Sequence, residues 1–269
     1  MKTILTAILL SIFVSHMTTA AADSFSEAYT DYKDAIESND WQSSLTAAEL
    51  AFAEGLKIFD KDGENIANLR LNYANELVRI DSFRPAAELL TESLRAKTSN
   101  LGSDSIDLIE VLMPLGKSTA TFNVSRAASY FGQALEIVAS NPALTAKLQL
   151  SAGLSLFAAQ ERESARDYLI AAQTYYEQQF GVEDFRSGLS SINLGRLYYE
   201  NEEFDQAEFA LGQALQAFQA PTPDSQKFAN AILELFDVIE KSRELVSRSP
   251  IGSAADLSPD QVGARDYNH

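Results

Sequence analysis

Two residue types that carry much of enzyme chemistry are nearly missing from this 269-residue chain. It has no cysteine and only two histidines, His16 and His269. Without thiols there is no disulfide framework, no thiolate metal site and no lipoprotein attachment cysteine. His16 falls within residues 1–22, expected to be a signal peptide, so the mature folded part is expected to have no imidazole and hence no Ser-His-Asp or Cys-His system, no His-ligated zinc and no HExxH helix. Neither GxxxxGK[ST] nor GxGxxG occurs, so the familiar phosphate-cradling loops are absent too. Cations are also scarce: 21 Lys plus Arg face 38 Asp plus Glu, a net charge of -17. Such a surface repels phosphate backbones and anionic lipid, which argues against nucleic acid as a partner. It suits cationic peptides or proteins, and it serves equally to keep an exported protein soluble. Carboxylate-only catalysis, such as glycan hydrolysis, is the remaining enzymatic option, and no acidic pair stands out from a solvated helix face. No enzymatic activity, cofactor or metal is expected.

Long apolar runs are confined to Ile4–Val14, preceded by Lys2 and followed by Ala20-Ala21-Ala22. A basic start, a short apolar core and a small-residue site make a signal peptide over residues 1–22, with cleavage after Ala22. The run is short of the roughly 20 residues a spanning helix needs, so no stable membrane span is expected after cleavage. The expected location is the periplasm or the exterior of the cell.

With 46% hydrophobic residues, the chain has enough apolar material for a core. Five times it shows the pattern small-x-x-x-apolar-x-x-small: Ser44/Ala48/Ala51, Ala86/Leu90/Ser93, Ala127/Phe131/Ala134, Ala165/Leu169/Ala172 and Ala207/Leu211/Ala214. The first residues follow one another by 42, 41, 38 and 42 positions, the near-constant period of a solenoid. Within each instance the spacing puts three residues on one helix face, where small side chains admit a neighbouring helix. Three positions ahead stand Trp41, Phe83, Val124 and Phe204, with Arg162 the exception. Acidic or amide residues tend to precede them, as a helix-helix turn requires. Apolar periodicity before the turns, as in Phe25, Ala28, Tyr29, Tyr32 and Ile36, makes each unit a helical hairpin.

These residues resemble the tetratricopeptide repeat, W-x2-L-G-x2-Y in its first helix and A-x3-F-x2-A in its second. The clearest match is Asn193-Leu194-Gly195-Arg196-Leu197-Tyr198, followed by Phe204, Ala207, Leu211 and Ala214. Endings at Phe59-Asp60-Lys61-Asp62, Leu101-Gly102-Ser103-Asp104 and Phe180-Gly181-Val182-Glu183 resemble the L-G-x-D close of the longer, 42-residue variety found in kinesin light chains and bacterial repeat proteins. The resemblance implies an all-α, right-handed solenoid of about five hairpins over residues 23–220. Residues 221–246, with Phe228, Ile232, Leu235, Phe236 and Ile239 on one side, are expected to form a capping helix. Residues 247–269 are expected to be a disordered tail. Pro114 should kink or shorten its helix, and the missing turn aromatic of the fourth unit points to an irregular middle.

The resemblance also implies a concave groove, lined by first helices, that binds a protein or peptide segment. Candidates are the polar stripe Asn68, Asn72, Asn75 and Arg79, with Asn193, Arg196 and Tyr199 at nearly corresponding places in the fifth unit. Asparagine amides donate and accept at once, so such a stripe can hold a peptide backbone. The same residues serve equally as solvated positions of amphipathic helices. The expected function is an exported adaptor. The alternative is an accessory subunit of an energy-transducing or cell-wall-associated envelope machine, docking through the array ends or the tail. Self-association through an uncapped end fits either.

Overall fold

The computed structural model describes the backbone of residues 2–219 and 223–248, and side chains over 20–219 and 225–245. Most of the side chains of the expected signal peptide, and the expected tail past Arg248, lie outside the described residues. The chain divides into two compact units, one ending at Gly181 and the other starting at Val182.

The first unit contains four helical hairpins: α1 (Lys2–Glu37) with α2 (Trp41–Gly55), α3 (Glu64–Arg79) with α4 (Phe83–Leu101), α5 (Ile109–Ala120) with α6 (Val124–Ile137), and α7 (Pro142–Ala158) with α8 (Arg162–Phe180). A 3-10 turn, Ile106–Leu108, leads into α5. Within a hairpin the two helices pack along their length, and successive hairpins stack through α2 on α3, α4 on α5 and α6 on α7. The second unit holds one hairpin, α9 (Phe185–Glu200) with α10 (Phe204–Ala217), and α11 (Pro223–Arg248). Among the described residues all regular structure is helical, and no helix is long and apolar enough to cross a membrane.

All fifteen residues of the recurring pattern are buried, none more than 2% exposed. The large central members Leu90, Phe131, Leu169 and Leu211 are each fully buried, which stabilises each site by about 1.5–3 kcal/mol relative to exposure. Opposite three of them the first helix carries glycine. A Cβ on Gly116 would come within 2.4 Å of the Phe131 ring, one on Gly153 within 2.8 Å of Leu169, and one on Gly195 within 2.7 Å of Leu211. In the second hairpin Ala74 occupies the matching register and is fully buried. Small against large is therefore the packing rule inside a hairpin.

The turns between first and second helices share one construction in four hairpins. Asn39, Asp81, Gln160 and Glu202 adopt positive φ (56°, 57°, 65° and 61°). The next residue's amide bonds back five positions, Asp40 to Ala35, Ser82 to Leu77, Glu161 to Leu156 and Glu203 to Tyr198. This is the Schellman closure, which satisfies carbonyls left open at a helix end. The third hairpin differs: Asn123 donates to the Thr119 carbonyl four positions back, and no residue there is left-handed. Its turn is one residue shorter, since Gly116 precedes Ala127 by eleven positions where Gly153 precedes Ala165 by twelve.

The expected irregular middle is confined to this hairpin. Proline at 114 falls mid-helix, and α5 spans 12 residues against 16 in α3 and 17 in α7. The fourth hairpin is regular, because the turn at Gln160 closes α7 and starts α8 without an aromatic. The long second helix is also selective. Helices α4 and α8 run 19 residues and stop at Gly102 and Gly181, whose φ of 88° and 84° only glycine adopts readily. By contrast α2 ends at Gly55, short of the expected close at Phe59. Gly55 lets Leu69 of α3 approach, a Cβ there meeting it at 2.4 Å, and the Phe59 ring turns back onto Phe25 at 5.0 Å.

Candidate interaction faces

The first-helix surface of the first unit is built by register. Each residue just after the small packing position points outward from the hairpin: Asn75 after Ala74, Lys117 after Gly116, Leu154 after Gly153. Six positions before the small residue stand Asn68, Glu110 and Lys147. Asn68, Asn72 and Asn75 are half-buried, and their amides make no hydrogen bond within the described residues. Glu110 pairs with Lys97, whose side chain is 5% exposed. Lys117 and Lys147 are exposed and have no partner among the described residues. The face thus offers free amides and two free ammonium groups in a chain of net charge -17.

Arg79, the last residue of the stripe, is engaged inside the fold. Its guanidinium lies 4.1 Å from the Trp41 ring centroid, and Nη1 donates to Glu76 Oε2 at 3.0 Å. The same carboxylate oxygen accepts from Ser44 Oγ at 2.7 Å. Glu76 is 2% exposed, so both partners are needed to hold a charge in that position. Burial, reinforced by the Glu76 carboxylate, raises the Tyr32 hydroxyl above its ordinary pKa. Tyr32, Trp41, Ser44, Glu76 and Arg79 therefore bind α1, α2 and α3 at one corner. Serine, and not alanine, heads the first pattern instance because it donates to Glu76.

The candidates of the second unit are placed differently. Asn193 Nδ2 donates to the Leu189 carbonyl of its own helix at 2.7 Å. Tyr199 packs beside Phe204, with ring centroids 6.3 Å apart, and its hydroxyl lies 3.2 Å from Ser242 Oγ on α11. Arg196 is exposed and borders a cleft of about 460 Å³ against Ile192, Leu211, Phe228, Leu235 and Val238. Helix α11 buries Ile232 and Ile239, packs on α10 and stacks Phe228 on Phe218 at 4.9 Å, and it reaches α9 through Phe228 against Phe185 at 5.7 Å and through the Tyr199–Ser242 contact. The seven candidates thus belong to two units, and Asn68, Asn72 and Asn75 are the ones whose amides make no hydrogen bond among the described residues. Lys117 and Lys147 were not evident from the polar stripes. The glycines opposite the large pattern residues carry the register that finds them.

No family model matches the chain, and no curated protein sequence matches it significantly. Among solved structures, the TPR-like repeats of a Podosopora anserina kinesin light chain are similar, with a TM-score of 0.59 at 16% identity over 76% of this chain and 99% of that one. A variant of those repeats gives 0.57 at 16% identity over 73% and 93%. A Rap protein complexed with competence and sporulation factor gives 0.56 at 14% identity, covering 83% of this chain and 66% of that one. At these identities the likeness is one of fold: the chain is an all-α array of TPR-like repeats.

Proposed function

We propose that this chain is an exported protein-interaction scaffold, and that the first-helix face of its first unit holds a segment of a partner protein. The observation that carries the reading is the set of half-buried amides at Asn68, Asn72 and Asn75, which no group of the described residues satisfies. These amides reach solvent and are not tied to other side chains, so a ligand's backbone can replace the water they hold without breaking a bond of the fold. The Rap protein of similar fold is complexed with competence and sporulation factor, which supports a binding role for such arrays. Export is supported by the sequence of residues 1–22. Cleavage after Ala22 would leave Asp23–Glu37 as the first helix, close in length to α3 and α9.

Cross-linking in the native envelope with mass spectrometry identifies the partner, and capture by variants tests the face. Asn72→Ala with Asn75→Ala is expected to reduce recovery by about tenfold, two hydrogen bonds of roughly 0.5–1 kcal/mol each, with helicity unchanged. Asn193→Ala, whose amide is already committed, is expected to leave recovery intact. Equal recovery by the double variant sinks the face assignment. N-terminal sequencing of the mature protein tests export, with Asp23 the expected first residue and an intact Met1 the contrary result.

A further inference from the structure

Asp62-Gly63 is the one Asp-Gly step of the chain, and Asn-Gly does not occur. It stands in the connection from α2 to α3, with the Asp62 side chain 52% exposed and Gly63 as the residue that opens α3. Such a step carries its own chemistry. The Gly63 nitrogen can attack Asp62 Cγ: the amide proton and a proton on the acid leave with one carboxyl oxygen as water, and a five-membered succinimide closes. Water then re-enters at either ring carbonyl. Opening at Cγ restores aspartate, whereas opening at the main-chain carbon leaves isoaspartate, with the backbone routed through the side chain. The water lost is the water regained, so the balance needs no other reactant. Glycine favours the attack because no Cβ crowds the approach to its nitrogen. Ring closure draws on the neutral acid, whose oxygen departs as water, so an ionised carboxylate resists it.

In the fold, both reacting groups are held. Arg95 Nη2, on α4, donates to Asp62 Oδ1 at 2.6 Å and to Glu92 Oε2 at 3.1 Å. The bond from Arg95 and its charge hold the Asp62 carboxyl below its ordinary value of 3.8, so the reactive acid form is rarer at neutral pH than it would be without that pair. The Gly63 amide donates to the Asp60 carbonyl at 3.0 Å, and the Asp62 amide to Asp60 Oδ1 at 3.1 Å. The buried Arg70 fixes the preceding residue, its Nη1 donating to the Lys61 carbonyl at 2.8 Å. We propose that Asp62-Gly63 is a site of spontaneous isoaspartate formation, which the folded chain keeps closed through Arg95. Isoaspartate there adds a methylene to the main chain directly ahead of Gly63, whose carbonyl accepts the first bond of α3 from Ala67. The site shares no residue with the first-helix face, so the two readings stand or fall separately.

The test is a warm incubation of the full-length chain at pH 7, folded and in urea, with isoaspartate at position 62 counted by electron-transfer fragmentation of the peptide that holds it. The unfolded chain is expected to accumulate it at least about tenfold faster than the folded one, since unfolding releases the carboxyl and the amide together. Arg95→Met keeps the aliphatic stem and loses the charge. Folded, it is expected to run at least about threefold faster than the parent, with helicity unchanged. Arg95→Lys restores a cation and is expected to return most of the way to the parent rate, which a change in packing alone would not produce. Asp62→Glu, one methylene too long for the five-membered ring, is expected to give no isomer at this position. Isoaspartate absent from the unfolded chain, equal rates folded and unfolded, an Arg95→Met variant no faster than the parent, or an Arg95→Lys variant as fast as Arg95→Met overturns the proposal.

Discussion

Gly116 faces Phe131 so closely that a single added methyl would lie 2.4 Å from the ring, although the two are fifteen positions apart where Gly153–Leu169 and Gly195–Leu211 are sixteen. The contact is kept and the turn gives up a residue. Register inside these three hairpins is therefore fixed by a glycine meeting a large side chain, and the turn adapts to it.

Alanine at these glycines is expected to destabilise, and alanine at other helical glycines to stabilise. Gly195→Ala and Gly116→Ala should each cost about 1–3 kcal/mol through overpacking. Gly132 and Gly212 lie in α6 and α10, and a methyl added at either would meet nothing within 4 Å. Alanine there should gain about 0.5–1 kcal/mol from helix propensity. Chemical denaturation of the four variants checks the signs, and a loss at Gly212 equal to that at Gly195 would contradict the packing rule.

Left-handed turn positions give a second contrast. Gln160 and Glu202 hold φ of 65° and 61°, where a Cβ is unfavourable. Glycine at either is expected to raise stability by about 0.5–1 kcal/mol, the steric relief exceeding the added unfolded-chain entropy. Phe122→Gly, in the turn that has no left-handed residue, should give no such gain. Thermal melts of the three variants separate these outcomes.

Much of the fold was legible because burial and pattern coincide. Ala165, Leu169 and Ala172 are as buried as their spacing demands, and the 38-residue step between the third and fourth instances reflects the short α6 together with the brief connection, residues 138–141, that follows it. The left-handed turns were only half legible. Asn39 and Asp81 are residue types that favour positive φ, whereas Gln160 and Glu202 are placed there by the closure itself. The candidate face was legible as a stripe but not as chemistry. Nothing in the spacing of Asn193 or Tyr199 reveals that one bonds its own helix and the other meets α11. The partner of Tyr199 comes from an element distant in sequence.

Glu177 supplies a pH test. Burial raises its carboxyl above the ordinary value of 4.5, opposed by a hydrogen bond from Gln173, and Oε1 has no partner. The folded state therefore holds this proton more tightly than the unfolded state. Its contribution to stability is fully present below the ordinary glutamate pKa and is lost as pH rises through the folded one. Glu177→Gln is expected to be more stable than the parent at pH 7, with the difference closing as pH falls below the ordinary glutamate value. Melting both proteins across that range checks the sign, and a constant difference would rule out the carboxylate as its source.

The corner of Ser44, Glu76, Arg79 and Trp41 has a consequence for assembly. Small-against-large packing recurs from the second hairpin to the fifth, so by itself it does not specify which of them follows which. A buried acid that must find one serine and one stacked arginine is satisfied only where α2 meets α3. That seam carries an address as well as an adhesive, and it fixes the amino-terminal hairpin as the first in the order.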